Sequence, residues 1–541
     1  MTSAIRRAPG RLLTLGCATL VATSLAGCGS VKSIAGGGDG NKNAITMGTT
    51  NVTGVLDPAG AYDQGSWLIL ENSFQGLLRF PAGSTAPQPD AAQSCEFSGA
   101  DATTYHCTLH SGLTFSNGHP LTAQDVVFSM DRMKKIKDEN GPSSLFDTVK
   151  SVEAKSDTEV VFHLAEPDAT LPDKLAGAAG SIVDHQVFPA DHELANSQLV
   201  GSGPYTIDSV DETAGAGGAK SIGKVTLSAN AKYKGDQKLK NSKFAVKFFG
   251  SPDELKSALD SGAVDLTDNS LDPQVSAQLL TDQQLGKGTV KITQADGNDT
   301  RFLVFNTKDD TTGQLAVRQA AAQLLDRQAL ARDVYARTVE PLYSPVPSGI
   351  GGHSTAFYDK YGEPDVAKAK AYLTAAKVPI PVKLTLTWSR TRAQGAESAA
   401  LKKQLEAGGL FQVTVNQEPD WTAFKKGWAA GSYQAYTVGW SADYPDADDF
   451  IVPLVVGGGA FHNGFDDPQI SQKLVPETLR QTDRTVATST FAAIQSQLAV
   501  QVPLLPLFQN KSFYAARPDI TGVDATVDST NVFRFAEIGR G

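Results

Sequence analysis

Gly112-Leu113-Thr114-Phe115-Ser116-Asn117-Gly118-His119-Pro120-Leu121-Thr122-Ala123-Gln124-Asp125-Val126-Val127-Phe128-Ser129-Met130-Asp131-Arg132 is the most informative block in this 541-residue sequence. Asn117-Gly118 is a tight-turn dipeptide, because both residues tolerate the backbone angles that such a turn requires. Thr122 followed three residues later by Asp125 is a variant capping box, in which each residue satisfies an orphan amide at a helix start. Val126, Met130 and Met133 then recur at helical spacing and predict a buried stripe.

Upstream, Arg6, Arg7 and Arg11 precede an apolar run from Leu12 to Ala26, the pattern of a secretory signal and too short to span a bilayer. The run closes on Leu25-Ala26-Gly27-Cys28, which resembles a bacterial lipobox, and Ser30 to Asn43 is a Gly/Ser/Lys-rich tether. The expectation is a signal over 1–27, a diacylglyceryl anchor on Cys28 and a flexible tether over 28–43. Two acyl chains on one cysteine suffice for stable anchoring. No later apolar run reaches the roughly 18 residues a spanning helix requires. The protein is therefore expected outside the cytoplasmic membrane and held to its outer face.

Loss of the three leader arginines takes the formal charge from -10 to -13. Nucleic acid is excluded as an expected partner by that balance. With Cys17 in the leader and Cys28 lipidated, Cys95 and Cys107 form a pair in an oxidising compartment. The segments around them flank Ser98-Gly99-Ala100-Asp101, so a hairpin centred near 101 sets them opposite each other as a disulfide. A zinc pair is the alternative, and it lacks a matching histidine set.

Asn43 to Gly48 reads as a strand, Leu56-Asp57-Pro58 as a turn, and Trp67 to Leu78 has near-helical apolar spacing. Downstream, short β segments (Val225 to Leu227, Phe244 to Phe249, Val382 to Thr387, Val413 to Val415) alternate with helical ones. The helical segments are Pro252 to Ser261, Leu315 to Tyr335, Ala367 to Ala375 and Ala396 to Ala407. Asp211 to Lys224, rich in Gly and Ala, is expected as a loop. Such alternation argues for an α/β fold, and no repeat of fixed period is visible.

The opening block resembles the signature of the family 5 extracellular solute-binding proteins, the peptide and nickel binders that feed ABC importers. Further matching segments follow in the family's order. They are Val200-Gly201-Ser202-Gly203-Pro204-Tyr205, Asn230-Ala231-Lys232-Tyr233-Lys234-Gly235, Phe305-Asn306-Thr307, Val317-Arg318-Gln319-Ala320 with Leu325-Asp326-Arg327, and Val502-Pro503-Leu504-Leu505-Pro506-Leu507-Phe508. The resemblance covers residues 44 to 541. It implies a two-lobed periplasmic-binding-protein-like fold (type II, with an extra inserted domain) and a hinge between the lobes. Lobe I is expected over 44–74, 198–298 and 505–541, the inserted small domain over 75–197, and lobe II over 299–504.

Catalytic motifs are only partial. His192-Glu193-Leu194-Ala195-Asn196 starts like a zinc-protease helix, but Asn196 stands where the second histidine must bind metal. Neither a Gly-x-Ser-x-Gly elbow nor a phosphate loop occurs. An enzyme is not expected, and no cofactor or metal is implied.

The stretch Gly439-Trp440-Ser441-Ala442-Asp443-Tyr444-Pro445-Asp446-Ala447-Asp448-Asp449-Phe450 sets four carboxylates beside large aromatics. Composition alone leaves it as a recognition site, a calcium loop or a solvated turn; its spacing does not fit an EF-hand. The family resemblance identifies Trp440, Asp443 and Tyr444 with the Trp-x-x-Asp-Tyr segment, whose Asp in peptide-binding members pairs with the ligand's α-amino group. Asp443 is the principal ligand-binding candidate, with Trp440, Tyr444 and Ser441 beside it. Phe508 is an extra candidate for the cleft wall, and Tyr62 and Asp63 are weaker ones. Asp446, Asp448 and Asp449 are expected to be solvated or capping. The implied function is capture of a short peptide by a monomeric, lipid-anchored receptor that delivers it to an ABC permease. Nickel chelates, haem, sugars or a signalling role are the alternatives.

Overall fold

A computed structural model describes residues 44–541 apart from 100, 215–219, 391–394 and 458. The leader, Cys28 and the tether lie outside the described residues. Two sheets organise the chain. The larger contains eleven strands: β1 (Ala44–Thr49), β6 (Tyr205–Ala214), β7 (Lys220–Ala229), β8 (Lys243–Phe248), β9 (Leu266–Thr267), β10 (Lys291–Phe305), β11 (Val339–Pro341), β12 (Val382–Ser389), β13 (Phe411–Glu418), β14 (Ala435–Trp440) and β15 (Leu504–Ala516). Their spatial order is β13-β12-β14-β10-β15-β9-β1-β8-β7-β6, with β11 alongside β15. The smaller sheet is antiparallel and comprises β2 (Ala92–Phe97), β3 (Thr104–Leu109), β4 (Val149–Ser156) and β5 (Glu159–Leu164).

The opening block folds as its residues dictate. Gly118 takes φ +101°, a value that favours glycine. The Asp125 carboxylate accepts from the Thr122 amide at 2.8 Å and its hydroxyl at 3.1 Å, opening helix α2 (Ala123–Ile136). Val126, Met130 and Met133 are each 2% exposed, so the expected stripe is the buried one. Asn117 and His119 both pair with Asp184, and His185 pairs with Asp125, tying turn and helix to the chain sixty residues on. Cys95 faces Cys107 across β2 and β3 and the two form a disulfide. His192 sits in an exposed turn.

Three large cores follow. One gathers Leu77 to Ile182 between the small sheet and α2. A second lies under β1, β7 and β8. The third and largest runs from Phe302 to Phe508. Strands β10 and β15 pair antiparallel and pass between cores: Phe302 to Phe305 and Leu504 to Phe508 belong to the largest, whereas Ile292, Phe513 and Ala515 belong to a neighbouring cluster. The two halves of the molecule are thus joined by paired extended chain, with a bulge between Asp296 and Thr300.

Two local expectations are corrected. Leu315 to Tyr335 is not one helix: Leu315–Leu324 ends at an extended Leu325, and the Asp326 side chain accepts from the Ala329 amide to cap a new turn. An Asp able to cap competes with continuation of the helix. Within the segment expected as a loop, Asp211 to Ala214 and Lys220 to Lys224 are paired strand ends of β6 and β7, whose Ile222, Val225 and Leu227 are buried, and 215–219 lie outside the described residues.

Candidate functional site

Helix α1 (Gln64–Ser73) presents Gln64, Trp67, Leu68 and Glu71, the i, i+3, i+4 and i+7 positions of one face, to a cavity of about 400 Å³. That volume falls in the ~300–1,000 Å³ range of small-ligand sites. Opposite the helix lie Trp440, the last residue of β14, and Ser441 to Asp443 and Pro445 beyond it. The bulge of β10 adds Asp299, the turn after β9 adds Asp268 to Ser270, and β15 adds Ser512 and Tyr514. Asp63 caps α1 by accepting from the Ser66 amide at 2.8 Å and also reaches the cavity.

Asp443 is half-buried, and its Oδ2 accepts a hydrogen bond from the Tyr62 hydroxyl at 2.7 Å, a contact bridging residues 381 apart. Its own backbone amide donates to Asp449 at 2.7 Å, which fixes the turn behind it. Burial raises the Asp443 carboxyl to about 6, against the opposing pull of the Tyr62 hydrogen bond and of Lys174. Lys174 is already paired with Asp168 at 2.8 Å. The carboxylate thus offers a charge-assisted hydrogen bond to an incoming ammonium, strengthened by partial shielding from water. Trp440 lines the cavity, and its Nε1 is a buried donor with no partner among the described residues. Ser441 hydrogen-bonds the carboxylate of Asp299.

Other expected residues lie elsewhere. Tyr444 is 5% exposed and turned away from the cavity, its hydroxyl donating to Asp448 at 3.0 Å and the Lys174 ammonium lying 5.6 Å from its ring. Phe508 is buried in the largest core with its ring 4.5 Å from that of Tyr335, so it is not cleft wall. In both cases an apolar ring went where it loses most contact with water. Asp446, Asp448 and Asp449 are buried rather than solvated. Asp446 does cap, accepting from the Asp448 amide at 2.8 Å, and it also takes a two-pronged ion pair from Arg484. Tyr62 and Asp63, the weaker candidates, both line the cavity.

Glu71, Asp268 and Asp299 were not anticipated. A cue exists for Glu71, which follows Leu68 by three residues and Trp67 by four and so shares their inward face. Asp299 stands in a polar run of β10 (Asp296 to Arg301) that gives it no distinguishing local cue. No local cue marks Asp268. Burial raises Glu71 to about 8 and Asp268 to about 6, and it raises Asp299 as well.

Residues 86–462 match the model of the bacterial extracellular solute-binding proteins, family 5 (middle). The chain is 24% identical over 494 residues to a probable D,D-dipeptide-binding periplasmic protein of Escherichia coli, covering 89% of this chain and 91% of that one. It is also 24% identical over 485 residues to heme-binding protein A of Haemophilus influenzae, covering 83% and 84%. Among solved structures, a periplasmic binding protein of Helicobacter pylori in complex with the peptide STSA superposes with a TM-score of 0.74 at 22% identity, over 92% of this chain and 98% of that one. Among the described residues no helix is long and apolar enough to cross a membrane. The family captures solutes rather than transforming them, and the two-lobed fold with its cavity beside the connecting strands is the arrangement seen here: the chain belongs to the family 5 bacterial extracellular solute-binding proteins.

Proposed function

We propose that this protein captures a short peptide outside the cytoplasmic membrane and delivers it to an ABC permease, without covalent chemistry. The observation that carries this reading is Asp443. It is a carboxylate in the wall of the cavity, hydrogen-bonded among the described residues by the Tyr62 hydroxyl, at the position where family resemblance expects the α-ammonium of a peptide. Trp440 supplies a donor for a ligand carbonyl. Lobes divided near 44–74, 198–298 and 505–541, against 299–504, with an inserted domain over 75–197, close about the ligand because only the closed state contacts it from both sides. Cleavage after residue 27 and lipidation of Cys28 hold a monomeric receptor at the membrane surface; Cys28→Ser is expected to move the protein into the soluble fraction, and persistence in the detergent phase contradicts the anchor.

The ligand reading is tested by calorimetry. Asp443→Ala is expected to weaken free-amine peptides by roughly 2–5 kcal/mol, because the partner ammonium is left desolvated and unpaired. Equal affinity of variant and parent removes Asp443 from the site.

A further inference from the structure

We propose that the ligand carries a second cation, a basic side chain near its amino-terminal end, received by Glu71 together with Asp268 and Asp299, while its carboxyl end meets no counter-ion. This rests on the peptide reading above.

Five carboxylates line the cavity (Asp63, Glu71, Asp268, Asp299 and Asp443), and no Lys, Arg or His is among the described lining residues. One α-ammonium at Asp443 leaves the others without a positive partner. Asp63 is engaged in capping. The Glu71 side chain has no hydrogen bond or ion pair among the described residues. The cation that bears on it, Arg534, is committed to Asp528 at 2.9 Å and to the carbonyls of Phe80 and Pro81. Asp268 is 7% exposed; its Oδ2 accepts from Thr49 and Asn51, and its Oδ1 has no partner. Asp299 likewise has an unpartnered Oδ1. Asp268 and Asp299 line the same cavity as Tyr514. Buried, unpaired carboxylates are costly when ionised, so each either holds a proton or meets a cation.

Both ends lie in one cavity: Asp443 and Glu71 line the same space. An extended peptide advances ~3.5 Å per residue, so a peptide held by its α-ammonium at Asp443 carries the side chains of its first residues through the cavity that Glu71 lines. A ligand carboxylate in the same cavity would add a sixth negative charge with nothing to offset it, which discriminates against ligands that end there.

The test is calorimetry at pH 7.5 with tripeptides carrying a single lysine, arginine or norleucine at each position, as free acids and as carboxy-terminal amides. The best basic peptide is expected to bind at least tenfold tighter than its norleucine isostere, and amides no weaker than acids. Glu71→Gln is expected to reduce the lysine-to-norleucine ratio below threefold. Asp268→Asn provides the same readout should the first variant fail to fold. Norleucine peptides binding as tightly as lysine peptides, or acids binding tenfold tighter than amides, overturn the second subsite and leave the peptide reading standing. No binding by any peptide overturns both.

Discussion

Glu71 illustrates what burial does to a single carboxylate. Its side chain titrates near 4.5 in an unfolded chain and is raised to about 8 in the fold, with burial the leading cause, Arg534 opposing it and Asp528 adding to it. Between those values the folded state holds a proton that the unfolded state has lost, so the ligand-free protein loses stability as pH rises from about 4.5 to 8. Asp268 and Asp443, each raised to about 6, act in the same direction over a lower window. Replacing Glu71 by Gln keeps the shape and removes the charge. Thermal melts at pH 5 and pH 8 are expected to show a shallower fall for Glu71→Gln, with the variant more stable than the parent at pH 8 by on the order of 1–3 kcal/mol. Parallel curves for the two proteins would contradict this. The sequence marked Asp443 through its family motif, yet Glu71 was legible only as one face position of a helix, because nothing local says that the face borders a cavity.

Among the elements, the pair β10 and β15 matters most. The bulge in β10 carries Gly297, whose position a Cβ would occupy only at 2.8 Å from the Asn510 carbonyl oxygen and 3.0 Å from the Ser512 hydroxyl. The carbonyl belongs to the partner strand and cannot swing aside. Gly297→Ala is therefore expected to destabilise the protein by roughly 1–3 kcal/mol through overpacking at the strand pair. Urea unfolding measures it, and an unchanged midpoint would mean that the strands separate without cost. The bulge also turns Asp299 toward the cavity, which connects the joint to the ligand site. Elements with a strong period or a capping pair, such as α2 and the Cys95 to Cys107 hairpin, were readable in advance. The break after Leu324 was not, since Asp326 caps or continues a helix according to what surrounds it.

At the scale of the molecule, the two halves touch across the site. Tyr62 donates to Asp443, and the Ala169 amide donates to the Leu479 carbonyl at 2.9 Å. Asp173 is raised well above its ordinary value by burial and by Asp446 on the opposing segment, with Arg484 compensating. On the function proposed above, a ligand whose positive charge meets Asp443 adds to these contacts, and its differential affinity would shift an open and closed equilibrium. The sequence by itself determined the α/β class, the disulfide hairpin, the framework segments and, through them, the family. Those features are written in spacings of a few residues, where backbone geometry alone relates one side chain to the next. Tertiary structure alone decided that Tyr444 and Phe508 face the core, that three aspartates are buried, and that Glu71, Asp268 and Asp299 share a cavity with Asp443. Partners hundreds of residues apart are brought together by the packing of whole elements, and no local pattern records which faces will meet.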